Sequence, residues 1–159
     1  MHLRMEQPID APAEVAWQIL GPEFADIADW ASFVRSSSEV PASEAPSALS
    51  IAGDAPVAGR ETTTKATLRE FITSYSHDDM SLAFDAAGLP PIVRRGRNRQ
   101  SVRSTGAASS TLIFEIDFDF VGPFKVLTPI MRTRMQKSLG SVMADLKTEA
   151  ERRYLATTN

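Results

Sequence analysis

The spacing of apolar residues changes period once along this chain, and the position of that change limits the folds open to it. From Ser32 to Phe120 the period is two, with turn signals at Tyr75 to Asp78, at Gly88-Leu89-Pro90-Pro91 and at Thr105-Gly106. That pattern predicts an antiparallel meander. After Gly122-Pro123 the spacing turns helical, and Phe124, Leu127, Met131, Met135, Leu139, Val142, Leu146, Ala150 and Tyr154 make one stripe to the C-terminus. Pro129 lies inside it, so either Thr128 caps a fresh start with Pro129 in the first turn, or the helix kinks there. Ahead of the meander, His2 to Ile9 alternates as a half-buried strand does. Pro12 then opens a helix, with Asp10 and Glu14 at its positive end and Gly21-Pro22 stopping it. A second short helix around Glu23 to Asp29 would turn Phe24, Ile27 and Ala28 inward. Pro41 to Gly59, interrupted by Pro46 and Pro56, reads as a long loop in which Ala48 to Ile51 could form only a brief edge strand.

Length and composition exclude several chemistries. At 159 residues the chain reads as one domain over residues 1–159. A chain of this size buries about 70% of its unfolded surface, so its core needs no disulfide or metal staple. There is no Cys, and His2 and His77 are the only histidines, which removes thiolate nucleophiles, thiolate-bound zinc and iron–sulfur clusters and leaves no His pair at ligand spacing. No metal and no cofactor are therefore expected. Seventeen Lys and Arg against 20 Asp and Glu give a net charge of −3, which does not favour nucleic acid. No apolar run approaches the roughly 20 residues that span a bilayer, so stable membrane insertion is not expected. With no apolar leader at Met1 to Glu6, the default expectation is a cytoplasmic protein.

Folding Val93 to Phe120 about the turn near Gly106 to Ser109 sets Arg95, Arg97 and Arg99 opposite Asp119, Asp117 and Glu115. A cross-strand ladder of opposite charges accounts for this arginine run better than a phosphate-binding patch does. The same register puts Asn98, Gln100 and Val102 beside Ile116, Phe114 and Leu112 on the other, interior face, where amides need hydrogen-bond partners. Folding Leu68 to Ala86 about Ser76 to Asp78 sets Arg69 opposite Asp85, and turns Leu68, Glu70 and Ile72 inward with Ala86, Phe84 and Leu82. In phase with them, Arg60, Thr62 and Thr64 face in while Glu61 and Lys65 face water. Glu70 then has two readings: a buried partner of Arg60, or a catalytic acid or base. Trp17 and Trp30 read as packing, His77 as a solvated turn residue, and His2 as part of a disordered terminus.

A strand, two short helices, a curved meander and one long C-terminal helix make an unusual order, and local wording accompanies it. Ile9-Asp10-Ala11-Pro12-Ala13-Glu14-Val15-Ala16-Trp17, Phe24-Ala25-Asp26-Ile27-Ala28-Asp29-Trp30, Gly59-Arg60, Arg69-Glu70-Phe71, Gly88-Leu89-Pro90, Asn98 with Ser101-Val102, and Leu146-Lys147 with Glu149 recur in order over nearly the whole chain. In these the chain resembles the START-like (SRPBCC) superfamily, in its polyketide cyclase/dehydrase and lipid-transport branch. The resemblance implies an α+β helix-grip fold: a curved seven-stranded antiparallel sheet with two short helices, wrapped around the long C-terminal helix over a cavity for hydrophobic ligands. Two features depart from the pattern: the Pro41 to Gly59 loop is long, placed to cover one cavity mouth, and the turn at Lys65 to Leu68 lacks a Gly. The superfamily includes aromatase/cyclases, carriers and iron-dependent hydroxylase domains, and the cysteines of the last group have no counterpart here.

The functional expectation is a carrier or sensor binding a small hydrophobic or amphipathic molecule. Phe84, Phe114, Leu127, Met131 and Met135 would form apolar wall, and Arg60, Thr62, Glu70, Asn98 and Gln100 would orient a polar end. The alternative is a cyclase or dehydratase in which Glu70 is general base and Arg60 steadies the enolate oxygen. A third reading, an edge near Ala48 to Ile51 that recruits a partner strand, is weaker, and a homodimer stays open as a partner.

Overall fold

The computed structural model describes residues 1–159. The alternating N-terminal stretch forms β1 (His2–Ile9), and Pro12 leads into α1 (Ala13–Leu20) and a 3-10 helix at Phe24–Asp29. The meander supplies β2 (Ser36–Val40), β3 (Gly59–Thr63), β4 (Thr67–Ser76), β5 (Ser81–Ala87), β6 (Val93–Gly106) and β7 (Ser109–Phe120). A 3-10 helix at Gly122–Leu127 then runs into α2 (Thr128–Thr158). The seven strands lie in the order β1-β7-β6-β5-β4-β3-β2, every pair antiparallel, so the first strand closes beside the last. The inner face of the sheet grips α2, which is the helix-grip arrangement. No helix is long and apolar enough to cross a membrane.

The core lies between three layers. Ile72, Leu82, Phe84, Leu112 and Phe114 come from the sheet, Ala16, Trp17, Ile19 and Leu20 from α1, and Val142, Met143, Leu146 and Ala150 from α2. Trp17 is fully buried against Tyr75, with ring centroids 5.4 Å apart. Gly21, which ends α1, is required by that ring: a Cβ there would lie 2.5 Å from it.

Several expectations change. The helical stripe is buried only from Val142 onward. A helix of 31 residues is about 46 Å long, more than the sheet can cover, so its first half overhangs. Pro129 is not a kink: it sits in the first turn of α2, as the first alternative had it. The residue before the helix is Leu127, however, and Thr128 is no cap, its hydroxyl donating to the Lys125 carbonyl at 2.7 Å. Ala48 to Ile51 forms no strand; the sheet's edges are β1 and β2, and a short 3-10 turn at Ala42–Glu44 follows β2. Arg69 pairs with Ala87 rather than Asp85, because the β4–β5 tip holds four residues and a bulge intervenes between Ile72 and Ser74. The slip is two residues, an even number, so the inward faces of Leu68, Glu70 and Ile72 survive it.

The β6–β7 register is as expected, with Arg95, Arg97 and Arg99 opposite Asp119, Asp117 and Glu115, yet the ladder is not made. Strand β1 flanks β7 on its other side and offers its own partners: Arg4 takes Glu115 at 2.5 Å, the His2 ring Nδ1 lies 2.8 Å from Asp117, and the N-terminal ammonium lies 3.8 Å from Asp119. His2 is thus an ordered strand residue. Arg97 turns instead to Asp85 on β5, donating through two nitrogens at 2.8 and 3.2 Å, which raises its pKa further.

Candidate functional site

Between the inner face of the sheet and α2 lies a cavity of about 250 Å³. Strand pairing builds its floor residue by residue. Arg60 on β3 lies opposite Glu70 on β4, Thr62 opposite Leu68, Phe84 on β5 opposite Asn98 on β6, and Gln100 opposite Phe114 on β7. Period-two alternation turns all of them to one side. Seven of the expected residues, Arg60, Thr62, Glu70, Phe84, Asn98, Gln100 and Phe114, therefore converge on the cavity.

The other three do not. Leu127, Met131 and Met135 lie on the overhanging end of α2 and its approach, half-buried and outside the cavity lining. Helix α2 contributes Leu139 and Val142 instead, one to two turns further on. Leu20, Ile27, Trp30, Phe33 and Val34 close the remaining wall, and Thr64 and Leu68 extend the β3–β4 side. Thr64 and Leu68 were already on the inward face in the sequence, Ile27 on the inward side of the second short helix, and Leu139 and Val142 in the stripe; Trp30, Phe33 and Val34 carried no signal beyond being apolar. No residue of the Pro41 to Gly59 loop lines this cavity, so the loop is not its cover; Ala52, Ala55 and Val57 pack on the core instead.

Arg60 and Glu70 are the charged groups inside, with side chains 8% and 13% exposed. The Arg60 Nε donates to Glu70 Oε2 at 2.6 Å and its Nη1 to the Phe24 carbonyl at 2.9 Å. Its guanidinium also stacks over Phe24, 3.9 Å from the ring centroid, with Phe84 at 5.2 Å. Such a pair neutralises itself, which is how two charges can be held in an apolar site. Two of its five N–H donors are thereby committed to the protein's own groups, and Nη2 makes no hydrogen bond within the protein. Gln100 donates to Asn98 only at the long limit of 3.5 Å. Trp30, which lines the cavity, has a buried indole N–H with no hydrogen-bond partner.

A larger concavity of about 650 Å³ lies on the opposite face, among Asp85, Arg94, Arg95, Arg97, Arg99 and Asp119. Five of its 15 lining residues are hydrophobic, against ten of 16 in the inner cavity, so the inner one is the site suited to an apolar ligand. His77 is exposed as a residue, yet its Nδ1 accepts the Trp17 indole N–H at 3.0 Å, which ties the β4–β5 tip to α1. No three His, Cys, Asp or Glu residues group closely enough to hold a metal ion.

Comparison with known proteins agrees with this architecture. A family model described as polyketide cyclase/dehydrase and lipid transport matches residues 1–151. Among solved structures, the Zhui aromatase/cyclase from Streptomyces sp. R1128 superposes with a TM-score of 0.68 at 15% identity, covering 96% of this chain and 94% of that one. A START superfamily protein from Mycobacterium smegmatis gives 0.65 at 14% identity, with 98% of each chain covered. The di-domain aromatase/cyclase BexL from the BE-7585A biosynthetic pathway gives 0.77 at 13% identity over 95% of this chain, which spans 46% of BexL. No curated protein sequence matches the chain.

Proposed function

The chain belongs to the polyketide cyclase/dehydrase and lipid transport family, and on that premise we propose that its inner cavity binds one small, uncharged, mainly apolar molecule carrying a hydrogen-bond acceptor, as a carrier or sensor does. The observation that supports this most is the Trp30 indole N–H, buried beside an apolar cavity without a partner. An unmet buried donor costs about 1–3 kcal/mol. The N–H is sealed from the cavity, so the Trp30 ring would turn to present it to an acceptor on the ligand and recover that cost. Size narrows the class. An apolar cavity of about 150 Å³ accepts benzene, so the 250 Å³ here suits one or two rings better than a long acyl chain. Charge narrows it further, because Arg60 and Glu70 already offset each other and a charged ligand would stay unpaired. The cyclase reading would use Glu70 as base and Arg60 as donor, and there the Glu70 carboxylate is already tied up by the Arg60 Nε at 2.6 Å.

Native mass spectrometry of freshly purified protein, before and after mild organic extraction, tests occupancy; a small molecule removed by extraction is the expected result. Trp30→Phe keeps the ring and deletes the donor. It should weaken rebinding of that molecule by about 2- to 12-fold, one hydrogen bond's worth, while leaving the unliganded protein as stable or more so. A clean unliganded mass, together with no thermal shift from added one- and two-ring carbonyl or phenol compounds, would overturn the proposal.

A further inference from the structure

The overhanging half of α2 carries an organisation that the cavity does not use. Between Asp119 and Asp145 the sequence has no carboxylate and four cations, Lys125, Arg132, Arg134 and Lys137. With −3 for the whole chain and +4 in this segment, the remainder carries −7. The second half of the same helix is balanced: Glu149 and Glu151 pair with Lys147, Arg152 and Arg153 at helical spacing. In the first half no carboxylate meets Lys125, Arg134 or Lys137, and Arg132 is held by the His2 carbonyl at 2.9 Å. Asp119, which borders the segment and lines one surface concavity with Arg94 and Lys125, makes its ion pair with the N-terminal ammonium, 3.8 Å away. Cations in the opening turns of a helix also oppose its dipole. Folding alone therefore gives this charge arrangement no compensation.

The same segment leaves apolar side chains in water. Val126 is 78% exposed, Ile130 57% and Phe124 42%, three of the five large apolar side chains that stand in water, the other two, Phe33 and Leu155, lying apart from one another in the chain. Ile130, Arg134 and Lys137 follow i, i+4, i+7 spacing, so an apolar residue and two cations share one exposed face, away from half-buried Met131 and Met135. Protruding apolar residues among Lys and Arg are what an interfacial helix presents to lipid headgroups. We propose that this segment, residues 122–137, docks the protein reversibly on an anionic lipid surface, without insertion across it. A lipid surface fits better than an acidic protein, because the apolar residues project singly from the helix end and its 3-10 approach. Docking would act on the helix that walls the cavity through Leu139 and Val142, but it does not depend on what the cavity holds.

The test is co-sedimentation of the full chain with vesicles of neutral phosphatidylcholine, and with vesicles that also contain phosphatidylglycerol. Binding to the anionic vesicles only, lost in high salt, is expected. A cation near such a surface contributes about fivefold in affinity, so the double substitution Arg134→Glu, Lys137→Glu should lose at least about 25-fold. Val126→Ser with Ile130→Ser, which leaves every charge in place, should also weaken binding measurably at low salt. These side chains are exposed, and an unchanged circular dichroism spectrum and melting curve would verify folding. No binding to anionic vesicles at low salt, or binding indifferent to the charge reversal, overturns the proposal. Retention by a soluble polyanion that the serine pair leaves unaltered, with vesicles ignored, would overturn it in favour of an acidic macromolecular partner.

Discussion

Glu149 binds two arginines and through one of them joins distant parts of the chain. It accepts from Arg152 at 2.7 and 2.9 Å and from Arg153 at 2.7 Å, and Arg153 reaches on to Glu23, before the first 3-10 helix, at 2.6 Å. Arg152 above all, against some loss of solvation and with help from Arg153, holds the Glu149 carboxyl at about 2 instead of 4.5. A pKa below its unfolded value means that the folded form binds the proton less readily. The stabilisation is therefore present above pH 4.5 and is lost as the pH falls towards 2. Chemical denaturation across that range should show Glu149→Gln flattening the acid-side loss of stability, and an unchanged slope would assign the loss to other carboxylates. The i, i+3 and i, i+4 spacing of these residues is visible in the sequence, whereas the bond to Glu23 is not. The same holds for Arg60: alternation turns it inward towards Glu70, but its bond to the Phe24 carbonyl depends on where a separate helix comes to rest.

Element by element, β3 is the strand on which the site depends most closely. A Cβ on Gly59 would stand 2.5 Å from the Glu70 carbonyl oxygen and 2.7 Å from the Phe71 ring, so this glycine lets β3 lie against β4 with Arg60 opposite Glu70. Gly59→Ala must move backbone, at a cost of about 1–3 kcal/mol, and should lower Tm by about 2–12 °C in a chain of this length. Gly53→Ala is the control, since nothing lies within 4 Å of its Cβ and Tm should hold; equal melting of the two variants would refute the close-approach argument. Strands and their faces were legible here because alternation is a local property of each segment. The bulge after Ile72 was not, since it follows from how a four-residue tip joins two twisted strands. Nor was the overhang of α2, because an apolar stripe records which side of a helix could be buried and not how far the sheet extends along it.

For the molecule as a whole, a ligand that binds only the folded state adds to its stability by mass action. At about 100 times Kd the gain is about 2.7 kcal/mol, which for a domain of this size raises Tm by about 5–11 °C. Extraction should therefore lower Tm, and returning the extracted molecule should restore it; a Tm indifferent to its return would place that molecule outside the native cavity. The whole-molecule picture also separates two kinds of information. The order of strands and helices and the inward faces of Arg60, Glu70, Asn98 and Gln100 were contained in the sequence by itself, since side-chain period and turn chemistry act over a few neighbouring residues, while the helix-grip fold was legible through the family resemblance. Only the tertiary structure decided that β1 takes the β7 carboxylates from the β6 arginines, that Leu139 and Val142 wall the cavity in place of Met131 and Met135, and that the Trp30 N–H is left without a partner. Each of these is a competition among groups far apart in the chain, and the distances that settle it exist only once the sheet has closed on its helix.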